Sequence, residues 1–202
     1  GADPSFCSGA NVRGMGQRIR QQESGTVDAD SPLPWGRMEA RLRKTKGQDM
    51  GQPARVPLRL SELQKPSLAA VNGHAVGLGL GLAISCDIRI ASENASFSEA
   101  FVRMGLIPGD GSCWQLPRLI GLSNTFLLQY TGDSISATEA HRMGMVSKVV
   151  PHVDLMNATM ELAARLAKGP TQSMSIIKYL IQKSQQTDMR EGLELAHAAQ
   201  EL

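Results

Sequence analysis

A run of glycines inside an apolar stretch constrains the fold more than any other feature of this chain. Residues 67–71 form a short apolar run between a proline and Asn72-Gly73, which is typical of a buried strand. Residues 74–86 are apolar on all sides and interrupted by glycines, and this pattern predicts a buried helix. Glycines between a strand and a helix allow a sharp turn and the close approach of another backbone or a ligand. The first N–H groups of such a helix lack partners within it, so they can bind an anion or a developing oxyanion.

A second turn of small residues, 5–11, precedes this block in the sequence. Two turns with free N–H groups can together form an oxyanion hole, which is usually the largest single contribution to acyl chemistry. Dinucleotide-binding loops also place glycines after a strand, but here the spaced third glycine and an acidic residue at a following strand end are missing. A role for the glycines in packing alone stays open.

Strand and helix patterns alternate in the middle of the chain and give way to helices towards its end. Residues 87–91 alternate like a strand, and Ser136-Ala137-Thr138-Glu139 has the spacing of a helix capping box. A polar stretch of about 13–64 predicts a mobile segment, with a helix around 38–46. This order of elements indicates the α/β class. Three amphipathic helices are predicted near the end, over residues 154–167, 171–185 and 189–202.

The composition argues against several classes of function. The 202 residues carry a net charge of +2, which is small for a chain whose main partner is nucleic acid. The longest apolar run, 68–84, is shorter than the roughly 18–20 residues of a membrane span and is broken by Asn72 and His74. The three cysteines are scattered and odd in number, so we predict that they form no disulfide framework and that the protein resides in a reducing compartment. No histidine has Cys or acidic partners at metal-ligand spacing, so we predict no metal site.

Five blocks of sequence match, in order, the motifs of one enzyme family. They are residues 6–11 (an F-x-x-G-A-D type turn), 65–77 (K-P-x-I-A-A-V-N-G-x-A-x-G), 86–91 (C-D-x-x-x-A), 105–109 (G-x-x-P-G) and 131–146 (T-G, A-x-x-A and G-L-V). By these blocks the chain resembles the crotonase superfamily, the enoyl-CoA hydratase/isomerase family. The blocks extend over most of the chain.

The resemblance implies an architecture and a class of substrate. The architecture is a crotonase-like spiral of stacked ββα turns over residues 1–150, followed by a helical region over residues 151–202. The substrate is an acyl-CoA thioester, and coenzyme A enters only as part of it, so we expect no cofactor. We expect assembly into a homotrimer or a dimer of trimers, and no nucleic-acid or membrane partner.

The resemblance also implies which residues hold the substrate. In this family two backbone N–H groups bind the thioester oxygen, and by position these are the amides of Ala10 and Leu78. Because the thioester enolate carries its charge on that oxygen, removing one donor would raise the barrier by about 3–4 kcal/mol. The surrounding turns supply the other predicted substrate-binding residues, which are Ser8, Gly9, Gly77, Gly79, Pro108 and Gly109.

The chain departs from the hydratase pattern at the two positions where the family's hydratases carry a glutamate. These positions are Gly81 and Phe101, and neither residue can transfer a proton. Glu99 and Asp110 lie nearby in the sequence, and burial in an apolar pocket would raise the pKa of either carboxyl and suit it to acid/base catalysis. Glu99 is also compatible with a solvated residue at a helix start, and Asp110 with an Asx-type turn.

Two functions are therefore compatible with the sequence. The first is an enzyme that processes acyl-CoA thioesters through an enolate, by hydration, isomerisation, hydrolysis or C–C cleavage. The second is a crotonase-fold protein that binds acyl-CoA, or assembles with partners, without turnover. The residues at the glutamate positions, Gly81 and Phe101, favour the second.

The ends of the chain carry a further expectation. The chain begins with Gly1-Ala2-Asp3-Pro4, directly before the first motif. The resemblance implies that the first strands and the last helices of the family fold are missing, so we expect a piece of a longer protein. The expected compartment is the cytoplasm, and a mitochondrial or peroxisomal location stays open because the N-terminal segment is missing. Lys178 is a candidate partner for a CoA phosphate, although a surface lysine explains it as well.

Overall fold

The computed structural model describes most of the chain outside its first quarter. Contacts divide the chain into two units, one made of Gly1–Gly9 with Pro53–Leu202 and the other of Ala10–Gln52. The predicted mobile segment, about 13–64, lies largely outside the described residues. The described residues are 2–9, 38, 42, 44, 46–48 and 52–200.

Seven strands and seven α-helices occur in the described part of the chain. The strands are β1 (Ser5–Cys7), β2 (Leu68–Val71), β3 (His74–Val76), β4 (Ile88–Ser92), β5 (Ser96–Ser98), β6 (Ser134–Ser136) and β7 (Lys148–Val150). The helices are α1 (Gln52–Glu62), α2 (Leu78–Ser85), α3 (Ser112–Thr131), α4 (Ala137–Arg142), α5 (Leu155–Ala167), α6 (Thr171–Ser184) and α7 (Met189–Gln200). Two short 3₁₀ helices span Ala100–Met104 and His152–Asp154.

The strands form two sheets, and the chain alternates between them from β1 to β5. The first sheet has the order β1-β3-β5-β6, in which only the β5–β6 pair is antiparallel. The second sheet, β2-β4-β7, is parallel throughout. Strands β2 and β3 are followed by α2, and β4 and β5 by α3, so the unit repeats a ββα pattern. The predicted α/β spiral followed by a helical region is thus confirmed.

The core of the first unit is made of small and aliphatic side chains from both sheets and from α2, α3 and α4. Small residues let the strands and helices approach closely, and a few large side chains fill the remaining space. Among the fully buried large side chains are Val71, Leu80, Phe97, Leu116 and Met145. This core holds the N-terminal end of α2 next to β1 and β5, where the predicted site residues lie.

Arg89 of β4 is a buried cation that fastens the C-terminal end of α2. Its guanidinium donates hydrogen bonds to the carbonyls of Met145 at 2.6 Å, of Ile84 at 3.4 Å and of Cys86. Burial lowers the pKa of the Arg89 guanidinium below its usual range. The carbonyls of Ile84 and Cys86 lie at the end of α2, and the carbonyl of Met145 lies in the segment before β7. The Arg89 side chain of β4 therefore links these two segments.

The helix prediction for residues 74–86 is wrong at its start. Residues 74–76 form β3, which pairs in parallel with β1 and with β5. The helix begins only at Leu78, because Gly77 turns the chain between the two elements. Apolar periodicity alone does not distinguish a short buried strand from the first turn of a buried helix.

Helix α1 lies where the sequence indicates no regular structure. Its sequence contains Pro57, and a proline inside a segment argues against a helix because it lacks a backbone N–H. Contacts from α6 hold it in place: Lys178 Nζ donates to the carbonyl of Leu60 at 3.2 Å, and Gln182 Nε2 donates to the carbonyl of Ser61 at 3.0 Å. Tertiary contacts therefore stabilise this helix more than its own sequence does.

Candidate active site

A sharp turn between β3 and α2 presents the first amides of α2. Gly77 makes the turn with φ 53° and ψ −118°, a conformation in which a Cβ would be strained. Its N–H donates to the carbonyl of Ser98 at 2.8 Å, which fixes the turn against β5. Leu78 is the first residue of α2, so its N–H has no acceptor within that helix. An amide of this kind can donate to an anionic oxygen.

The end of β1 lies against this turn. Gly9 has φ 95°, and a Cβ built on it would lie 2.8 Å from the carbonyl oxygen of Val76 and 4.0 Å from the nitrogen of Leu78. A side chain at residue 9 would therefore collide with β3, and glycine allows the approach of the two turns. Gly79 of α2 packs in the same way against the backbone of Cys7.

The other predicted substrate-binding residues lie at more accessible positions. Ser8 is exposed and follows β1 directly. In the loop before α3, Pro108 is half-buried and Gly109 is exposed. Ala10, the second predicted oxyanion amide, lies outside the described residues.

The side chain of Phe101 covers the turn. It is carried by the 3₁₀ helix Ala100–Met104, and its ring atom Cζ lies 3.4 Å from the position that a Cβ on Gly77 would take. The family resemblance implies a glutamate of the hydratases at this position. In this chain the structure has an apolar ring beside the predicted oxyanion amide.

At the other glutamate position, Asp110 fills the space that a side chain would need. A Cβ built on Gly81 would lie 2.7 Å from Cγ and 2.8 Å from Cβ of Asp110, which is closer than real Cβ contacts. A side chain at residue 81 and the carboxylate of Asp110 therefore exclude each other. Because Gly81 follows Leu78 by three residues on α2, the Asp110 carboxylate lies about one helical turn, roughly 5 Å along the axis, from that amide.

Glu99 and Asp110 are both buried, with 1% and 2% of their surfaces exposed. Ser112, at the start of α3, contacts both carboxylates. Its hydroxyl donates to Glu99 Oε2 at 3.3 Å, and its N–H donates to Asp110 Oδ1 at 3.1 Å. The other two oxygens, Glu99 Oε1 and Asp110 Oδ2, have no hydrogen-bond partner among the described residues. The solvated position considered for Glu99 is therefore wrong. Asp110 does make a turn contact with Ser112, but it is buried as well.

The two carboxyl groups share one buried environment, and this changes the protonation of Glu99. Burial, and to a smaller extent the charge of Asp110, raises the pKa of Glu99 to about 8, whereas the hydrogen bond from Ser112 lowers it. Glu99 is therefore mostly protonated at neutral pH. A buried carboxyl with a raised pKa beside a second buried carboxyl is an arrangement that can supply acid and base groups within one small site.

Sequence reasoning identified both carboxylates and missed Ser112. Glu99 and Asp110 stood out because they are acidic residues near family motifs. A serine at the start of a predicted helix is ordinarily a helix cap, and only the folded chain shows that its hydroxyl reaches Glu99. The available signal was its position, two residues after Asp110 and directly after Gly111.

Three further residues, His74, Trp114 and Lys178, make contacts outside the pair of buried carboxylates. His74 is exposed, with its Nδ1 2.7 Å from Ser96 Oγ. Trp114 is 47% exposed and stacks against the guanidinium of Arg118 at 4.0 Å, so it is not part of the core. Lys178 is not a surface lysine, since 9% of its side chain is exposed and its Nζ lies 3.0 Å from Asp87.

A cavity of about 720 Å³ lies away from these groups. It is formed by the end of α1 with α6 and α7, and Leu63, Tyr179 and Leu195 are among the residues that line it. Neither buried carboxylate lines this cavity. Cavity size alone would therefore identify a different place from the one indicated by the buried carboxylates.

The family model for enoyl-CoA hydratase/isomerase matches residues 39–201. The chain belongs to the enoyl-CoA hydratase/isomerase family. This agrees with the order of motifs in the sequence and with the ββα spiral. The resemblance inferred from the sequence is thus confirmed.

Relatives within the family include both hydratases and isomerases. The chain is 42% identical over 135 residues to a short-chain-enoyl-CoA hydratase of Clostridium acetobutylicum, covering 67% of this chain and 52% of the relative. It is 39% identical over 144 residues to a 1,2-epoxyphenylacetyl-CoA isomerase of Escherichia coli, covering 71% and 55%. The chain thus spans about half the length of the curated relatives it matches.

A solved family structure contains coenzyme A. A crystal structure from Thermobifida fusca, determined in complex with CoA, aligns with a TM-score of 0.76 and 27% identity, covering 99% of this chain and 72% of that one. Within the described residues, no helix is long and apolar enough to cross a bilayer. The same residues contain no group of three or more His, Cys, Asp or Glu side chains placed to hold a metal ion.

Proposed function

We propose that this protein is an enzyme that moves a proton on an acyl-CoA thioester, and that double-bond isomerisation is its reaction. The observation that carries the proposal is the buried pair of Glu99 and Asp110 beside the first turn of α2. In this proposal the amides of Ala10 and Leu78 hold the thioester oxygen, as the family resemblance implies. Coenzyme A enters as part of the substrate, and no cofactor is required.

The proposed chemistry follows from the protonation of the pair. The ionised carboxylate of Asp110 takes a proton from the carbon next to the thioester, and the resulting charge spreads onto the oxygen held by the backbone amides. The protonated carboxyl of Glu99 then supplies a proton to the far end of the conjugated system. The double bond moves, one proton is lost and one is gained, and no water is consumed.

Isomerisation fits the site better than hydration does. Hydration requires polar groups that hold and activate a water beside the β-carbon. Phe101 places a ring at one of the two positions involved, and Asp110 fills the space at Gly81. The isomerase among the relatives is compatible with this proposal.

A second candidate is an acyl-CoA-binding or assembly protein without turnover. The observation that favours it is the apolar ring of Phe101 at a position used for catalysis in the family's hydratases. The two candidates share the fold and the CoA thioester ligand and differ in whether the carboxylates react. We also propose that the protein forms a homotrimer or a dimer of trimers.

The test uses the full-length protein with 2-enoyl and 3-enoyl thioesters of CoA. We expect isomerisation of the 3-enoyl substrates, and exchange of the α-proton with D₂O, in the wild type. Asp110→Asn should lower kcat by at least about 100-fold with little change in KM, and Glu99→Gln should also lower kcat. Glu93→Gln, at an exposed glutamate, is the matched control and should keep wild-type activity.

Each outcome of this test distinguishes the candidates. Unchanged turnover in both carboxylate variants would contradict the acid/base assignment. Binding of CoA thioesters without turnover of any of them would support the binding protein. Turnover of 2-enoyl substrates by addition of water would show that hydration is possible without the two glutamates.

A further inference from the structure

Ser112 is the residue that links the two carboxylates of the candidate site. Its side chain is fully buried, and it is the first residue of α3, directly after Gly111 with φ 87°. It uses two different groups for the two contacts, the hydroxyl for Glu99 and the backbone N–H for Asp110. The two contacts can therefore be altered separately, since a substitution removes the hydroxyl and leaves the N–H.

The N–H contact favours a negative charge on Asp110. The donor belongs to the first turn of a long helix, where free amides and the helix dipole stabilise anions. The acceptor is Oδ1, which leaves Oδ2 unpartnered against Gly81. A carboxylate held through one oxygen in this way keeps its orientation.

The hydroxyl contact places the proton of Glu99. A serine hydroxyl has a single proton to donate, and here it goes to Oε2. The acid proton of Glu99 then resides on Oε1, the oxygen without a partner among the described residues. Among the residues that the structure describes, the Cys113 thiol also interacts with the pair, and burial raises its pKa, so it stays neutral.

We infer that Ser112 is a positioning residue that fixes the orientation of both carboxyl groups, through its hydroxyl on Glu99 Oε2 and its N–H on Asp110 Oδ1. The catalytic consequence of this inference rests on the proposed function. The effect of the hydroxyl on Glu99 does not, because it can be measured without substrate.

The experiment compares Ser112→Ala with wild type in the full-length protein, by carbon-13 NMR titration of the carboxyl groups and by the pH profile of isomerisation. Loss of the hydroxyl removes a hydrogen bond that favours ionised Glu99. The pKa of Glu99 and the alkaline limb of the profile should therefore both rise by about one unit. Ser112→Thr, which restores a hydroxyl, should return both towards wild type.

The control is Ser92→Ala, which removes the hydroxyl of another fully buried serine, one that contacts His152 and not the carboxylates. It should leave the titration of Glu99 unchanged. If Ser112→Ala does not fold, Ser112→Cys, whose thiol is a weaker donor of similar size, is titrated instead, and an unmoved pKa of Glu99 in that variant would overturn the inference.

The two readouts separate this inference from the proposed function. An unmoved pKa of Glu99 in folded Ser112→Ala would overturn the role of Ser112, even if isomerase activity is present. A moved pKa in a protein that turns over no thioester would support the role of Ser112 in protonation and contradict the proposed isomerase. A Ser112→Thr variant that stays like Ser112→Ala would also overturn the inference, because it would show that packing and not the hydroxyl matters.

Discussion

Gly81 and Asp110 share one small volume, and this contact defines the candidate site at the scale of single residues. A Cβ on Gly81 would lie 2.7 Å from Cγ of Asp110. The absence of a glutamate at residue 81 is therefore tied to the presence of an aspartate at residue 110. A carboxylate reaches this part of α2 from the loop before α3 instead of from the helix itself.

This contact predicts the sign of a stability change. Gly→Ala in an open helix interior stabilises by about 1 kcal/mol, but Gly81→Ala should destabilise by about 1–3 kcal/mol because the methyl group meets Asp110. In an Asp110→Gly background the same change should no longer destabilise, and urea unfolding of the four proteins measures this coupling. Gly109→Ala, where a Cβ meets nothing within 4 Å, is the control and should change stability by less than about 0.5 kcal/mol. Stabilisation by Gly81→Ala would contradict the contact.

The buried proton of Glu99 predicts a dependence of stability on pH. The pKa of Glu99 is about 8 in the folded chain against an ordinary value of 4.5, so between these values the folded chain holds a proton that the unfolded chain releases. This contribution is complete below about pH 4.5 and is lost as the pH rises towards 8, by at most about 1.4 kcal/mol per pH unit. Urea unfolding across this window should show a steeper loss for wild type than for Glu99→Gln. Equal slopes would show that Glu99 is ionised in the folded chain.

The residues of the site differ in how far sequence predicts them. Gly77 and Leu78 follow from the motif, because a glycine turn before a helix has one local geometry. Glu99 and Asp110 follow only in part, since their burial depends on how α3 packs on α2. Ser112 does not follow, because its contact joins a helix start to a residue that lies 13 positions earlier.

At the scale of elements, the structure depends on contacts at the ends of helices. One half of the capping box predicted at Ser136 is present, since its hydroxyl accepts from the N–H of Glu139 at 3.2 Å, whereas the Glu139 carboxylate accepts from Arg142. Such local contacts can be predicted from sequence because both partners lie within one turn. The start of β3 and the whole of α1 could not be predicted, because pairing with other strands and contacts from α6 determine them.

At the scale of elements, the hydrogen bonds of Arg89 predict how much its substitution lowers the stability of the fold. Arg89→Met would leave three buried carbonyls at the end of α2 and before β7 without their donor, and should destabilise by about 2–4 kcal/mol. Arg89→Lys should recover only part of this, because an ammonium does not span the same set of acceptors. Arg103→Met is the control, since Arg103 forms an exposed ion pair with Asp133 and should cost less than about 1 kcal/mol. Similar urea midpoints for the Arg89→Met and Arg103→Met variants would contradict the role of Arg89.

At the scale of the whole molecule, the order of motifs predicts the spiral, but a single chain does not show how several copies of the protein assemble. The chain alternates between the two sheets from β1 to β5, and the helices follow in the order that the family resemblance implies. A single chain shows which surfaces are apolar and unpartnered within it. In the described part, α3 carries such a surface after its kink at Gly121. Its exposed large side chains are Leu122, Phe126, Leu127 and Tyr130.

These exposed apolar side chains of α3 make the proposed self-association testable. Leu122, Phe126 and Tyr130 follow each other at four-residue intervals, so they share one face of the helix, and the last two stack with ring centroids 5.3 Å apart. An apolar face of this kind marks an association surface. Phe126→Glu in the full-length protein should shift the mass measured by light scattering from the trimer or its dimer towards the monomer. Val153→Glu, at a residue 83% exposed, should keep the wild-type mass. A monomeric wild type, or an unchanged mass for Phe126→Glu, would show that this face is not the interface.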